Sequence, residues 1–171
     1  MVTICAAGDL MDVIMVLALL ISGLLAGVIG KYQLLPHCGT HAEKLIIVAA
    51  CDGASSTGQI GNEVARRLTK AYPDGVRMCC LSAIGAGSKT HLGIFKKAKA
   101  VIAINGCQLM CTSNVLRQRG IEPAYEIVVA KEGINKMPSL DFNDEDVTRI
   151  ADKIVKDFLS NFSLNTVEGE R

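Results

Sequence analysis

The sequence predicts an α/β domain: a short parallel sheet with helices on both faces, a three-layer arrangement of Rossmann-like or flavodoxin-like kind. One N-terminal membrane-spanning helix is expected to precede it. Three observations carry this reading. Residues 45–50 (LIIVAA) and 100–104 (AVIAI) are wholly apolar, without the alternation of a half-exposed strand, as expected of strands buried on both faces. Segments with helical apolar spacing alternate with these runs, which is the βα order of a parallel sheet. Finally, residues 13–30 (VIMVLALLISGLLAGVIG) run for 18 residues without a charge, close to the roughly 20 apolar residues that a spanning helix needs.

The chain has 171 residues, one domain's worth, of which 50% are hydrophobic and 20% charged. The net charge of +1 favours no nucleic-acid partner, and the 4% aromatic content without tryptophan removes the stacking platforms of a single-strand binder. Nothing basic precedes the run at 13–30, while Lys31 and Lys44 follow it. That favours a retained anchor over a cleaved signal peptide and puts the main domain on the cytoplasmic side of a single-pass membrane protein. Gly23 and Gly27 form a G-x-x-x-G that would permit a homodimer through the helix. Residues 31–43 read as a linker. His37, Cys38 and His41 within it are metal-ligand types, but Pro36 and Gly39 argue against a helix that would hold them together.

From residue 44 to 162 the elements follow in order. Residues 45–50 form the first strand and 51–58 a loop of small residues. Ile60, Val64 and Leu68 recur every four residues and mark a helix, closed by the turn Tyr72-Pro73-Asp74-Gly75. Residues 76–81 give a second strand, followed by a loop at 82–88 and a helix at 90–98. The third strand is 100–104, the next helix ends at Gly120, and 124–130 is the fourth strand. Asn143 caps a last helix with an acidic first turn and an apolar stripe of Val147, Ile150, Ala151, Ile154 and Phe158. Residues 163–171 read as a tail.

The seven cysteines carry the functional signal. In open α/β sheets, ligands bind beyond the carboxyl ends of the strands. Cys51 ends the first strand, Cys79 and Cys80 the second, and Cys107 the third, with Cys111 one helical turn later. Residues four apart share a helix face, so Cys107 and Cys111 can aim at one atom. Neighbouring residues on a strand face opposite ways, so one of Cys79 and Cys80 stays out, and the pattern does not choose between them. Four convergent thiols make a closed zinc site or hold an iron–sulfur cluster. The loop Cys51-Asp52-Gly53-Ala54-Ser55-Ser56-Thr57-Gly58-Gln59 also resembles the anion cradle of low-molecular-weight tyrosine phosphatases and related arsenate reductases. There Cys51 would be the nucleophile of a thiol redox or sulfur-relay enzyme. Those families need an arginine six residues after the cysteine, and here that residue is Thr57.

Three stretches together resemble the DGC-domain family, described as zinc-binding on the strength of four characteristic cysteines. They are Cys51 to Ala65 (CDGASSTGQIGNEVA), Cys80 to Gly85 (CLSAIG) and Ile104 to Cys111 (INGCQLMC). The resemblance runs from residue 47 to about 135. It implies Cys51, Cys80, Cys107 and Cys111 as the metal ligands and Cys79 as a bystander. The sequence departs from the family's Asp-Gly-Cys at Asn105-Gly106-Cys107, where a neutral amide replaces the carboxylate. His91 is the one histidine of the domain, and it starts a helix at the same edge, where it could act as a supporting donor. The expected function is metal binding, sensing or handover, with zinc as cofactor and an iron–sulfur cluster as the alternative.

Overall fold

The computed structural model describes residues 14–22, 35 and 37–166. The chain divides into two compact units, Met1–Leu35 and Pro36–Arg171. In the first unit, residues 14–22 are helical, and Ile14, Met15, Val16, Leu17, Leu19, Leu20 and Ile21 are all exposed. No described helix is long and apolar enough to cross a membrane. Half of the expected anchor at 13–30, including the glycines of its G-x-x-x-G, lies outside the described residues.

The second unit is an α/β fold with four parallel strands in the order β2-β1-β3-β4. These are β1 (Ile46–Ala50), β2 (Val76–Met78), β3 (Ala100–Asn105) and β4 (Tyr125–Val128). Its helices are α1 (Ser56–Ala71), α2 (Leu81–Gly85), α3 (Lys89–Lys97), α4 (Cys111–Gln118) and α5 (Asp144–Asp157). β1 is buried at every position, which is why it shows no polar alternation. Its residues divide between two cores. Ile46, Val48 and Ala50 pack with Ile60, Val64 and Leu68 of α1 and with Val147, Ile150 and Ile154 of α5. Ile47 and Ala49 face Ile84 of α2, Ile94 and Phe95 of α3 and Leu116 of α4. Helices therefore cover both faces, as the sequence predicts.

Boundaries follow local chemistry. Ser55 has the extended backbone of a cap, and its hydroxyl accepts from Gly58 N at 3.3 Å, so α1 starts at Ser56. Pro73, which cannot continue a helix, follows shortly after its end. The Asn143 side chain caps α5 as expected, accepting from Glu145 N. Two expectations need correction. The second strand stops at Met78, and Leu81 opens the short helix α2 where the sequence suggests a loop; the fully buried Ile84 anchors it. Its single turn is too short for helical periodicity to register. In addition, Cys107 is not on a helix. Residues 107–110 form a turn in which Met110 N donates to Cys107 O at 3.0 Å, and Met110 adopts a left-handed backbone (φ 50°). Cys111 is the first residue of α4. The two cysteines are thus neighbours through a turn and not through a shared helix face.

The segment before β1 belongs to the core. Residues 42–44 form a turn of 3-10 helix, Ala42 is buried, and Leu45 joins the α3 side.

Glu63 links α1 to the rest of its face. It accepts from Arg66 Nε at 2.6 Å and Arg67 Nε at 3.0 Å, and Arg67 continues to Asp144 of α5. The Arg66 hydrogen bond comes first among the causes that hold the Glu63 carboxyl below its ordinary value. A lowered folded pKa means that this stabilisation is complete above the unfolded carboxyl value of about 4.3 and is lost as pH falls through the folded value. Glu63→Gln should therefore lower stability by about 0.5–1 kcal/mol at neutral pH, in denaturant titrations. The difference from the unsubstituted chain should shrink as pH falls through the lowered folded value of the Glu63 carboxyl.

Candidate metal centre

The order β2-β1-β3-β4 reverses direction between β1 and β3. The crossover from β1 to β2 runs through α1 on one face, whereas α2, α3 and α4 lie on the other. This is the switch point at which open α/β sheets bind ligands. Its floor is unusually tight. A Cβ on Gly58 would lie 2.4 Å from the Gly53 carbonyl oxygen, and one on Gly106 would lie 3.0 Å from the Gly58 backbone. The turn that follows β3 thus meets the first turn of α1 backbone to backbone, and the latter lies against the loop after β1. Cys51 N donates to Ile104 O at 2.9 Å, which extends the ladder to the site.

The four expected thiols sit along this edge. Cys51 and Cys107 are half-buried on either side of the switch point. Cys80, exposed, precedes α2 at the end of β2, and Cys111, exposed, opens α4. Lys136 Nζ lies 3.5 Å from Cys107 Sγ and brings a positive charge to the row of sulfurs. Lys136 comes from the loop before α5, which is tied to α1 where Ser56 N donates to Met137 O and Met137 N to Ser56 Oγ. That loop has no periodicity, so nothing in the sequence pointed to it.

The loop after Cys51 is largely self-satisfied. The amide of Ser55 donates to Gly53 O, Ser56 to Met137 O, Gly58 to Ser55 Oγ and Gln59 to Ser55 O. These four amides are therefore bonded within the protein, and Thr57 stands where the phosphatase-like arrangement has its arginine.

The departure at Asn105 also finds its explanation. Asn105 is fully buried. Its Oδ1 accepts from Ser113 N at 3.1 Å, and its Nδ2 donates to Ser113 Oγ at 2.7 Å and to Ile127 O at 3.4 Å. The side chain fastens β3 to β4 and to the first turn of α4, and it needs both a donor and an acceptor to do so. It is a structural bracket facing the interior.

Among the described residues, one group of at least three metal-ligand side chains has all its donor atoms within 4.8 Å of one another. It is not the strand-edge row but Cys38, Cys79 and His91. Cys79 is buried and faces the α3 side, opposite to the exposed Cys80. Burial, with the neighbouring Cys38 sulfur, pushes the Cys79 thiol up to about 12. The residues His37, Cys38 and His41 do not act together: His37 Nδ1 accepts from Gly39 N, and His41 pairs with Glu43. Cys38 and His91 were visible in the sequence as candidates, but their convergence on Cys79 was not.

The fold and the site together define an α/β domain with a cysteine-lined strand edge. The chain belongs to the DGC-domain family, whose model matches residues 47–154. It is also similar to the anaerobic and virulence modulator AnvM of Pseudomonas aeruginosa, with 25% identity over 108 residues that span 63% of this chain and 81% of the relative. No solved structure matches the chain.

Asn105→Ala removes the acceptor for the buried Ser113 amide and the donor to Ile127 O. It should cost about 2–3 kcal/mol in thermal or denaturant unfolding. Metal content per folded chain should not change, because the Asn105 amide is bonded to Ser113 and Ile127 and to no thiol.

Proposed function

We propose that the chain is a metal-binding protein in which Cys51, Cys80, Cys107 and Cys111 hold one zinc ion at the carboxyl edge of the sheet, and that the metal serves a regulatory task. The supporting observation is the order of the thiols along the edge. Cys51 and Cys107 flank the switch point, with Cys80 beyond one and Cys111 beyond the other. Four thiolates complete the tetrahedral shell of zinc. Such a centre carries net negative charge, which Lys136 and the N-terminal ends of α1 and α4 offset. No position stays open for a substrate water, so the proposal includes no hydrolytic step. The exposed thiol of Cys80 directly precedes α2 and that of Cys111 opens α4, and closing the shell draws the loops at 51–55 and 107–110 together around the ion.

The regulatory part of the proposal rests on the relative, which is named a modulator. The same reading keeps the segment at 13–30 as a single-pass anchor with the domain on the cytoplasmic side. Its support is the charge-free run and the uniformly exposed apolar side chains of residues 14–22.

Chain purified without oxygen or chelator should be colourless. Cys107→Ser and Cys111→Ser should each lower its zinc content by about one ion per chain, measured by elemental analysis. Unchanged zinc in both variants would remove the ligand assignment, and a brown colour with iron and sulfide would replace zinc by a cluster on the same residues. The anchor has its own check: the full chain should remain with membranes after an alkaline carbonate wash, and a chain lacking residues 13–30 should not.

A further inference from the structure

We propose that Cys38, Cys79 and His91 form a second metal site, for a zinc-type divalent ion, where the end of β2 meets the turn before β1 and the first turn of α3. The first support is geometric. The three donor atoms lie within 4.8 Å of one another. Zinc–sulfur bonds of about 2.3 Å at tetrahedral angles place two thiolates about 3.8 Å apart, so an ion fits with small side-chain adjustments. The donors come from three segments held by the same core: the turn before β1, the end of β2 and the first turn of α3. Ser88 Oγ lies 2.9 Å from His91 Nδ1, which orients the ring and leaves Nε2 as the nitrogen for a metal. A hydrogen bond to the far ring nitrogen is the usual support of a metal-bound histidine.

The second support is independent of the donors. Arg77 lies two residues before Cys79, on the same side of β2, and is 4% exposed. Its Nη2 donates to Pro73 O at 2.6 Å, but its buried Nε and Nη1 have no hydrogen-bond partner among the described residues. A buried guanidinium left half-bonded is costly unless negative charge lies beside it. The groups that act on it electrostatically are Cys38 and Asp74. A metal makes its cysteine ligands thiolates outright, so a bound ion would place a thiolate sulfur, a hydrogen-bond acceptor, on the side of Cys38 that already acts on this arginine, while the charge of the ion balances the two thiolates overall. A disulfide between Cys38 and Cys79 would supply no thiolate and would leave His91 unused.

Three protein ligands leave a fourth position open, unlike the closed shell proposed at the strand edge. Cys79 is buried and the adjacent Cys80 is exposed, so the two sites would use neighbouring residues at one strand end. The second would then be the exchangeable one.

The test uses the full chain loaded with zinc alone under reducing conditions, with zinc per chain read by elemental analysis and cobalt(II) as the coloured probe. The unsubstituted chain should hold about two ions, and Cys38→Ser and His91→Gln should each hold about one, with loss of the cobalt spectrum of a mixed sulfur–nitrogen site. Cys38 and His91 are only half-buried, and circular dichroism of both variants confirms the fold. In Cys107→Ser the mixed-ligand cobalt spectrum should persist, which separates this inference from the strand-edge reading. Zinc and cobalt signals in Cys38→Ser and His91→Gln equal to those of the unsubstituted chain would overturn the second site. So would a Cys38–Cys79 disulfide in chain whose thiols are blocked at lysis.

Discussion

The carboxyl edge of the sheet depends on one close approach, that of the Gly58 backbone to Gly106. Any side chain at either position would meet backbone atoms at 3.0 Å or less. Because the turn after β3 touches the first turn of α1 there, Cys51 and Cys107 lie on adjoining segments, although they are more than 50 residues apart in the sequence. The rest of the fold serves this contact. β1 is buried on both faces, α1 is capped by Ser55 so that it starts beside the contact, and Asn105 ties the end of β3 to β4 and α4. A metal site assembled on such a scaffold does not need to nucleate the fold, in contrast to small zinc modules that are unfolded without their ion.

Much of this was legible because it is written in periodicity. The uninterrupted apolar runs of β1 and β3 and the stripe of Val147, Ile150 and Ile154 on α5 each have one physical reading, and the structure agrees. The short helix α2 was not legible, since five residues cannot display a helical period. Nor was the turn at 107–110, because a methionine in the left-handed region gives no compositional warning where glycine is the expected signal. Asn105 was read as a lost carboxylate near the chemistry. Its donor-and-acceptor role becomes visible only once Ser113 and Ile127 are in place around it.

The cysteines divide the same way. Their placement near strand ends follows from counting residues, whereas β2 stops at Met78, so strand alternation does not set the buried Cys79 against the exposed Cys80. The meeting of Cys38, Cys79 and His91 does not follow, because it depends on how the turn before β1 packs against α3, and no local pattern encodes that packing. The half-bonded Arg77 is the companion of that group, since its buried Nε and Nη1 have no hydrogen-bond partner among the described residues.

The central claim is that four particular thiols share one ion. Alkylation of each cysteine, followed by peptide mass spectrometry with and without one equivalent of zinc, tests it most directly. The account predicts that zinc slows modification of Cys51, Cys80, Cys107 and Cys111 together, including the two that are exposed in the structure. Modification of Cys80 and Cys111 at the same rate with and without zinc would contradict it.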